Sequence, residues 1–126
     1  MCYLPHGASL ALLLSCLTTP ACADPATACD AAARRAAEEA GVPEPVMLAI
    51  ARVESGRSQT PWPWTVNHAG EGHWFKTERE ALDFAEARIA EGESNLDIGC
   101  FQVNLRWHGE NFTGLEAMFD PEENAR

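Results

Sequence analysis

The sequence predicts a mostly α-helical domain with a small extended or β element, an α+β fold. Residues 27–40 (TACDAAARRAAEEA) are rich in alanine, the strongest helix former, and stop at Gly41 with Pro43 behind it. Residues 61–76 instead contain PWPWTVN, HAGEG and HWFK, which is typical of two short extended pieces around a glycine-containing turn. The chain has 126 residues, which allows one domain at most.

The first half of the domain predicts two helices. Side chains one helical turn apart are expected to pair along residues 27–40, as Arg34/Glu38 and Arg35/Glu39. A second helix is expected to begin near Pro45 and to end at Gly56.

The second half predicts one longer helix and several short elements. Residues 77–80 (TERE) form a capping box, and a helical stripe follows it at Leu82, Ala85 and Ile89. Residues 98–105 (IGCFQVNL) alternate in polarity, which indicates a short strand or extended loop. Short helices are expected over 114–119 and from Asp120-Pro121 onward.

The N-terminal residues resemble an export signal. Residues 8–17 (ASLALLLSCL) are apolar but too few to span a bilayer, and Ala21-Cys22-Ala23 fits the small-residue rule for cleavage. We therefore predict that residues 1–23 are a signal peptide. A lipoprotein signal, with Cys16 or Cys22 as the lipidated residue, is the alternative.

The remaining cysteines agree with export. Only Cys29 and Cys100 lie after residue 23, and an even pair in an exported domain suggests one disulfide. Such a bond would stabilise the fold by about 4 kcal/mol in the chain-entropy model. Two separate buried thiols are the alternative.

The charge balance argues against several classes of partner. The chain has 19 acidic and 9 basic side chains, all after residue 23, and a formal net charge of −10. Such a surface repels nucleic acids and anionic lipids. No apolar run long enough for a membrane span follows the signal, so no stable membrane span is expected after residue 23. His68 and His73 do not form a metal-binding pair, and no metal or cofactor is expected.

The stretch ARVESGR (51–57) ends an apolar helix on a carboxylate, Glu54. Arg52 precedes it by two residues, about 200° of helical rotation, so Glu54 faces inward if Arg52 faces water. Burial and the carbonyl groups of the last helical turn would both favour a protonated acid, which can protonate a leaving group. A glutamate that bends back to solvent is the alternative.

Two segments together carry a resemblance to a known family. The ES at 54–55, followed by DIGCFQVNLRW at 97–107, is similar to the SLT-type lytic transglycosylases, which are relatives of goose-type lysozyme. The following FDPEEN makes the chain most similar to the branch associated with conjugation and type IV secretion. The resemblance implies a lysozyme-like fold at residues 24–126, with a further helix and a Tyr-Asn segment that the sequence does not contain.

The resemblance also implies a function and a location. Family members are exported to the periplasm and cleave peptidoglycan glycan strands at the β-1,4 bond between N-acetylmuramic acid and N-acetylglucosamine, leaving a 1,6-anhydro end. Secretion, conjugation or flagellar assemblies are the expected further partners. By position, Glu54 would be the general acid/base, and the expected substrate-side residues are Ser55, which would support Glu54 or the adjoining backbone, Gln102, Asn104 and Trp107.

Three points stay open at this stage. Asp97 could be a second carboxylate for lysozyme-type hydrolysis, or it could cap a turn. A non-catalytic, exported glycan-binding or assembly protein is a further alternative. Trp62, Trp64 and Trp74 could offer sugar platforms with free indole N–H groups, or they could pack the core.

A Cys29–Cys100 bridge would hold the segment that carries Gln102 against the helices.

Overall fold

The computed structural model describes residues 24–126, and the predicted signal peptide lies outside the described residues. The helices are α1 (Pro25–Ala40), α2 (Glu44–Ser55), α3 (Glu78–Ala90), α4 (Leu105–His108), α5 (Leu115–Phe119) and α6 (Pro121–Ala125), with a 3₁₀ turn at Gly109–Asn111. The strands are β1 (Thr65–His68), β2 (Glu71–Trp74), β3 (Leu96–Ile98) and β4 (Val103–Asn104), in the antiparallel order β2-β1-β3-β4. The predicted α+β class is therefore confirmed.

The helix boundaries follow local signals in the sequence. The Asp24 carboxylate accepts a hydrogen bond from the Ala26 N–H at the start of α1. At the other end Gly41 adopts a φ of 66°, a left-handed conformation that glycine reaches without steric cost. Among residues 24–126, no helix is both long enough and apolar enough to cross a membrane.

The predicted ion pairs within α1 are wrong. Arg34 pairs with Glu44 of α2 at 3.1 Å, and Arg35 pairs with Glu122 of α6. The hydrogen bond from Arg35 to Glu122 raises the pKa of that guanidinium. Tertiary neighbours supply these carboxylates, so both arginines link helices rather than successive turns of one helix.

The larger core lies between the sheet and helices α3 and α5. Its buried members are Val66, Leu96 and Ile98 from the sheet, Ala81, Leu82 and Ala85 from α3, and Met118 and Phe119 from α5. The predicted α3 stripe is confirmed at Leu82 and Ala85 but not at Ile89, which is 41% exposed. The core contacts only the middle of α3.

A second layer consists of α1, α2 and α6. The inner face of α1 is built from Cys29, Ala32, Ala33, Ala36 and Ala37, all of them small and buried. These short side chains let the neighbouring helices approach closely, and Ala125 of α6 packs on Ala32 and Ala36. The predicted Cys29–Cys100 disulfide joins this layer to the sheet across a sequence separation of 71.

Residues 98–105 form a hairpin rather than the single strand or extended loop that the alternation predicted. A turn over residues 99–102 connects β3 to β4, with φ values of 81° at Gly99 and 49° at Gln102. A Cβ atom at Gly99 would lie 2.8 Å from the Met118 carbonyl oxygen and 2.6 Å from the Asn124 amide nitrogen. Only glycine fits this position, because both its backbone conformation and its space exclude a side chain.

Asn124 of α6 holds this turn in place. Its Nδ2 donates to the carbonyls of Ile98 at 2.9 Å and Met118 at 2.8 Å, and its Oδ1 accepts from the Phe101 N–H at 2.8 Å. The Asn124 side chain is buried, so water cannot take its place as the hydrogen-bond partner of these three backbone groups. The predicted short helix at the Asp-Pro step is thus confirmed as α6, and its last turn anchors the hairpin.

We expect Asn124→Ala to lower the free energy of unfolding by about 3 kcal/mol, because it leaves three buried backbone groups without partners. Urea denaturation followed by circular dichroism measures this loss. Glu123→Ala on the exposed side of the same helix is the control, with an expected change below about 0.5 kcal/mol. Equal midpoints for the two variants would contradict the anchoring role.

We expect the double variant Cys29→Ser/Cys100→Ser to lose about 4 kcal/mol of stability under oxidising conditions. Reduction of the wild-type protein should cause the same loss, and reductant should not change the variant further. A wild-type denaturation curve that does not respond to reductant would exclude a stabilising bridge.

Candidate functional site

The two segments that carry the family resemblance are in direct contact. The Ser55 hydroxyl at the end of α2 donates to the Cys100 carbonyl at 2.8 Å, across 45 residues of sequence. The same oxygen accepts a hydrogen bond from the Trp62 N–H at 3.3 Å. Ser55 is fully buried, so its place among the substrate-side residues is wrong, whereas its expected role in supporting the adjoining backbone is confirmed. Its contacts are with backbone groups, which it uses to join α2 to the hairpin turn.

Glu54 does not face inward. Its side chain is exposed at the end of α2, whereas Ala51 and Ser55 form the buried line of this helix. Arg52 pairs with Asp30 of α1 at 3.1 Å, yet its side chain is still 41% exposed. The buried line of Ala51 and Ser55 runs between Arg52 and Glu54, so the two side chains lie at opposite edges of this line and neither faces the core.

An exposed apolar stripe runs beside Glu54 on the same open side of α2. Val46, Ile50 and Val53 are 48%, 40% and 81% exposed and follow one another at helical spacing. Helical geometry places Glu54 between this stripe and the buried line of Ala51 and Ser55. Any molecule that lies on the stripe would also reduce the access of water to the Glu54 carboxylate.

A row of polar side chains crosses the sheet. Asn67 of β1 lies opposite Asp97 of β3, which in turn lies opposite Asn104 of β4. Since Leu96 and Ile98 point into the core, the residue between them points to the other face. The Asn104 amide donates to Asp97 at 2.8 Å. This row, hereafter the polar row, concentrates hydrogen-bonding groups suited to sugar hydroxyl and acetamido groups.

Asn67 was not singled out from the sequence. It sits at the end of WPWTVN, where nothing local distinguishes it from a loop asparagine. The only available signal was its alternation with buried Val66, which places the two side chains on opposite faces of β1. Its position beside Asp97 depends on the pairing of β1 with β3, which the sequence does not reveal.

Gln102 and Asn104 line a pocket of about 600 Å³, together with Phe101, Val103, His108, Asn111, Phe112, Asn124 and Arg126. Both amides also have structural roles. The Gln102 Nε2 donates to the carbonyls of Gly99 at 2.9 Å and Thr65 at 3.3 Å. The Asn104 Oδ1 accepts from the Arg106 N–H and caps α4. A ligand in this pocket would therefore meet amides whose orientation is already held.

The tryptophans divide into two kinds. Trp107 is 70% exposed directly after the hairpin, so its ring is available to a ligand. The indole N–H groups of Trp62 and Trp74 donate to the carbonyls of Phe75 at 2.7 Å and Ser55 at 2.9 Å. The expectation that these N–H groups are free is wrong, and Trp64 packs against the larger core.

We expect Asn104→Asp to destabilise the fold by about 2 kcal/mol at pH 7, because a second carboxylate would replace the amide that donates to Asp97. Repulsion favours the protonated form in the folded state, so the loss should shrink as the pH falls from 7 to 4. Thermal denaturation against pH tests this, with Asn111→Asp at an exposed position as the control. A pH-independent difference would contradict the contact.

Comparisons of the chain with protein-family models, with curated proteins and with solved structures gave no significant match.

Proposed function

We propose that this chain is an exported peptidoglycan lytic transglycosylase with a lysozyme-like fold, acting in the periplasm with Glu54 as its general acid/base. The observation that carries the proposal is the hydrogen bond from Ser55 to the Cys100 carbonyl. It sets the helix end that bears Glu54 against the hairpin that bears Asp97, Gln102 and Asn104. The proposal thus assigns one site to the two segments that together resemble the family.

The proposed reaction needs one carboxyl group that works twice. Glu54 donates its proton to the glycosidic oxygen, and the bond from C1 of N-acetylmuramic acid to that oxygen breaks. Glu54 then takes the proton from the C6 hydroxyl of the same sugar, whose oxygen bonds to C1. The products are a free N-acetylglucosamine 4-hydroxyl and a 1,6-anhydro end, and Glu54 regains its proton.

Because Glu54 is exposed, the proposed function requires the substrate itself to exclude water from this side chain. A glycan strand that lies over the Val46, Ile50 and Val53 stripe would exclude water from the Glu54 carboxyl group. Lower water access favours the neutral acid, which is the form that the first step requires. The polar row and the Trp107 ring would supply hydrogen bonds and a stacking surface to flanking sugars.

One observation favours a second candidate function. Because Glu54 is exposed beside an open apolar stripe, the same surface could bind glycan or an assembly partner without catalysis. Hydrolysis with Asp97 as the second carboxylate is the chemical alternative. Asp97 is already engaged by Asn104 at 2.8 Å, a contact that serves a structural role equally well.

We expect residues 24–126 to release fragments that end in 1,6-anhydro-muramic acid from purified peptidoglycan, as measured by mass spectrometry. Glu54→Gln keeps the shape of the side chain but removes the acid, so it should lower the rate by at least about 100-fold. Asp97→Asn is the matched control, and we expect it to retain anhydro products.

Other outcomes would point elsewhere. Reducing ends that disappear in Asp97→Asn would indicate a two-carboxylate hydrolase. A folded protein that releases nothing but sediments with insoluble peptidoglycan would indicate the non-catalytic binding function instead.

A further inference from the structure

A second pocket lies on the other side of Ser55, within a segment that the family resemblance does not cover. It has a volume of about 310 Å³, and its main lining residues are Arg57, Thr60, Trp62, Trp74, Phe75 and Lys76. None of these residues belongs to the polar row or to the pocket around Gln102. It combines aromatic walls with two cationic side chains, and we call it the cationic pocket.

The charge of this pocket is opposite to that of the chain. The formal net charge is −10, and six of the nine basic side chains, namely Arg34, Arg35, Arg52, Arg79, Arg88 and Arg126, pair with carboxylates. Within residues 24–126, Arg57 and Lys76 make no such pair, although carboxylates are abundant. The nearby Glu80 carboxylate accepts from the Lys76 backbone N–H at 2.9 Å. Two cations without carboxylate partners therefore line one pocket.

The walls of the cationic pocket are held by hydrogen bonds. The Trp62 indole is tied to the Phe75 carbonyl, and the Trp74 indole is tied to the Ser55 carbonyl. The Arg57 guanidinium lies over the Trp74 ring at 6.0 Å from its centroid. A cation over an aromatic face keeps its N–H donors free at its edge for a planar anion.

The turn that presents Arg57 has an uncommon backbone. Arg57 and Thr60 exchange backbone hydrogen bonds of 3.0 and 3.2 Å, which close a two-residue turn. Its central residues, Ser58 and Gln59, have φ values of 53° and 68°, although neither is glycine. Such conformations cost free energy and concentrate at binding and catalytic sites. The two backbone hydrogen bonds between Arg57 and Thr60 thus close a turn in a conformation that non-glycine residues rarely adopt.

We propose that the cationic pocket binds a carboxylate on the lactyl branch of muramic acid, either the lactyl carboxylate itself or those of an acidic peptide stem. This inference rests on the proposed function for its choice of ligand. Arg57 and Lys76 supply charge-assisted hydrogen bonds, and the Trp62 and Trp74 rings contact the apolar atoms of the branch. Arg57 follows Glu54 by three residues, so a branch held here sets the position of its sugar relative to Glu54.

Isothermal titration calorimetry with disaccharide ligands of the order N-acetylglucosamine–N-acetylmuramic acid tests the pocket without catalysis, since these ligands lack the bond that the enzyme would cleave. Three forms are compared: one with an acidic tetrapeptide stem, one with the carboxylates of that stem amidated, and one with a bare lactyl carboxylate. If the stem carboxylates are the groups recognised, residues 24–126 should bind the acidic form about tenfold more tightly than both the amidated form and the bare form. If the lactyl carboxylate is the group recognised, only the bare form should bind tightly, because the peptide stem converts that carboxylate into an amide, and the acidic and amidated forms should both bind about tenfold more weakly.

Arg57→Gln and Lys76→Gln should each weaken binding of the acidic ligand about tenfold, or of the bare ligand if that is the form preferred. Arg106→Gln also removes a cation that has no carboxylate partner among residues 24–126, but outside the pocket, and should leave affinity unchanged. Equal affinity of wild type, Arg57→Gln and Lys76→Gln for every ligand would overturn the inference, as would equal binding of all three forms by the wild type.

This experiment separates the two proposals. Anhydro products from the wild type together with unchanged affinities in Arg57→Gln and Lys76→Gln would reject the pocket and keep the transglycosylase. Charge-dependent binding in a protein that releases no anhydro fragments would keep the pocket as a carboxylate site and reject the catalytic function.

Discussion

The turn between β3 and β4 is the constraint on which the rest of the structure depends. Three elements converge on its four residues: α1 through the Cys29–Cys100 disulfide, α2 through the Ser55 hydroxyl, and α6 through the Asn124 amide. Each contact uses a buried group, so none competes with water. Together they fix the hairpin to both the helical layer and the sheet. Because the turn joins both layers, a change in any one contact is expected to reach the others.

The end of α2 connects two surfaces of different chemistry. On one side the polar row and the pocket around Gln102 offer amides and a carboxylate. On the other side the cationic pocket offers guanidinium, ammonium and indole groups. Ser55 bonds to both through its hydroxyl and its carbonyl oxygen, although it is itself fully buried. Ser55 thus links two surfaces although it is not exposed on either of them.

Under the proposed function, Glu54 depends on its ligand for its environment. In the structure the Glu54 carboxylate is exposed, with the buried line of Ala51 and Ser55 on one side of it and the open apolar stripe on the other. An acid in this position gains its low-water surroundings only when something covers the stripe. Under the proposed function that cover is the glycan strand, so that binding and activation of the acid are one event.

The sequence by itself determined the features that depend on short-range rules. Glycine and proline placed the end of α1 and the start of α2 at Gly41 and Pro45 to within a residue, and the two cysteines after residue 23 predicted the bond that the structure contains. The glycine-containing turn between the two extended pieces of residues 61–76 predicted the β1–β2 hairpin. The predictions of the helix ends and the hairpin succeeded because their signals act through the backbone within a few residues. The disulfide prediction succeeded because two cysteines can pair in only one way.

Tertiary structure alone decided what each side chain meets. The exposed position of Glu54 depends on which side of α2 is buried, and the polar row depends on β1 pairing with β3. The partners of Arg35 and of the Trp74 indole lie 87 and 19 residues away in sequence. Helical spacing gives the angle between two side chains but not the direction of the core, because that direction is set by packing between distant elements. For this reason Glu54, Gln102 and Asn104 followed from the sequence as candidates, whereas Asn67, the cationic pocket and the arrangement of these residues into surfaces did not.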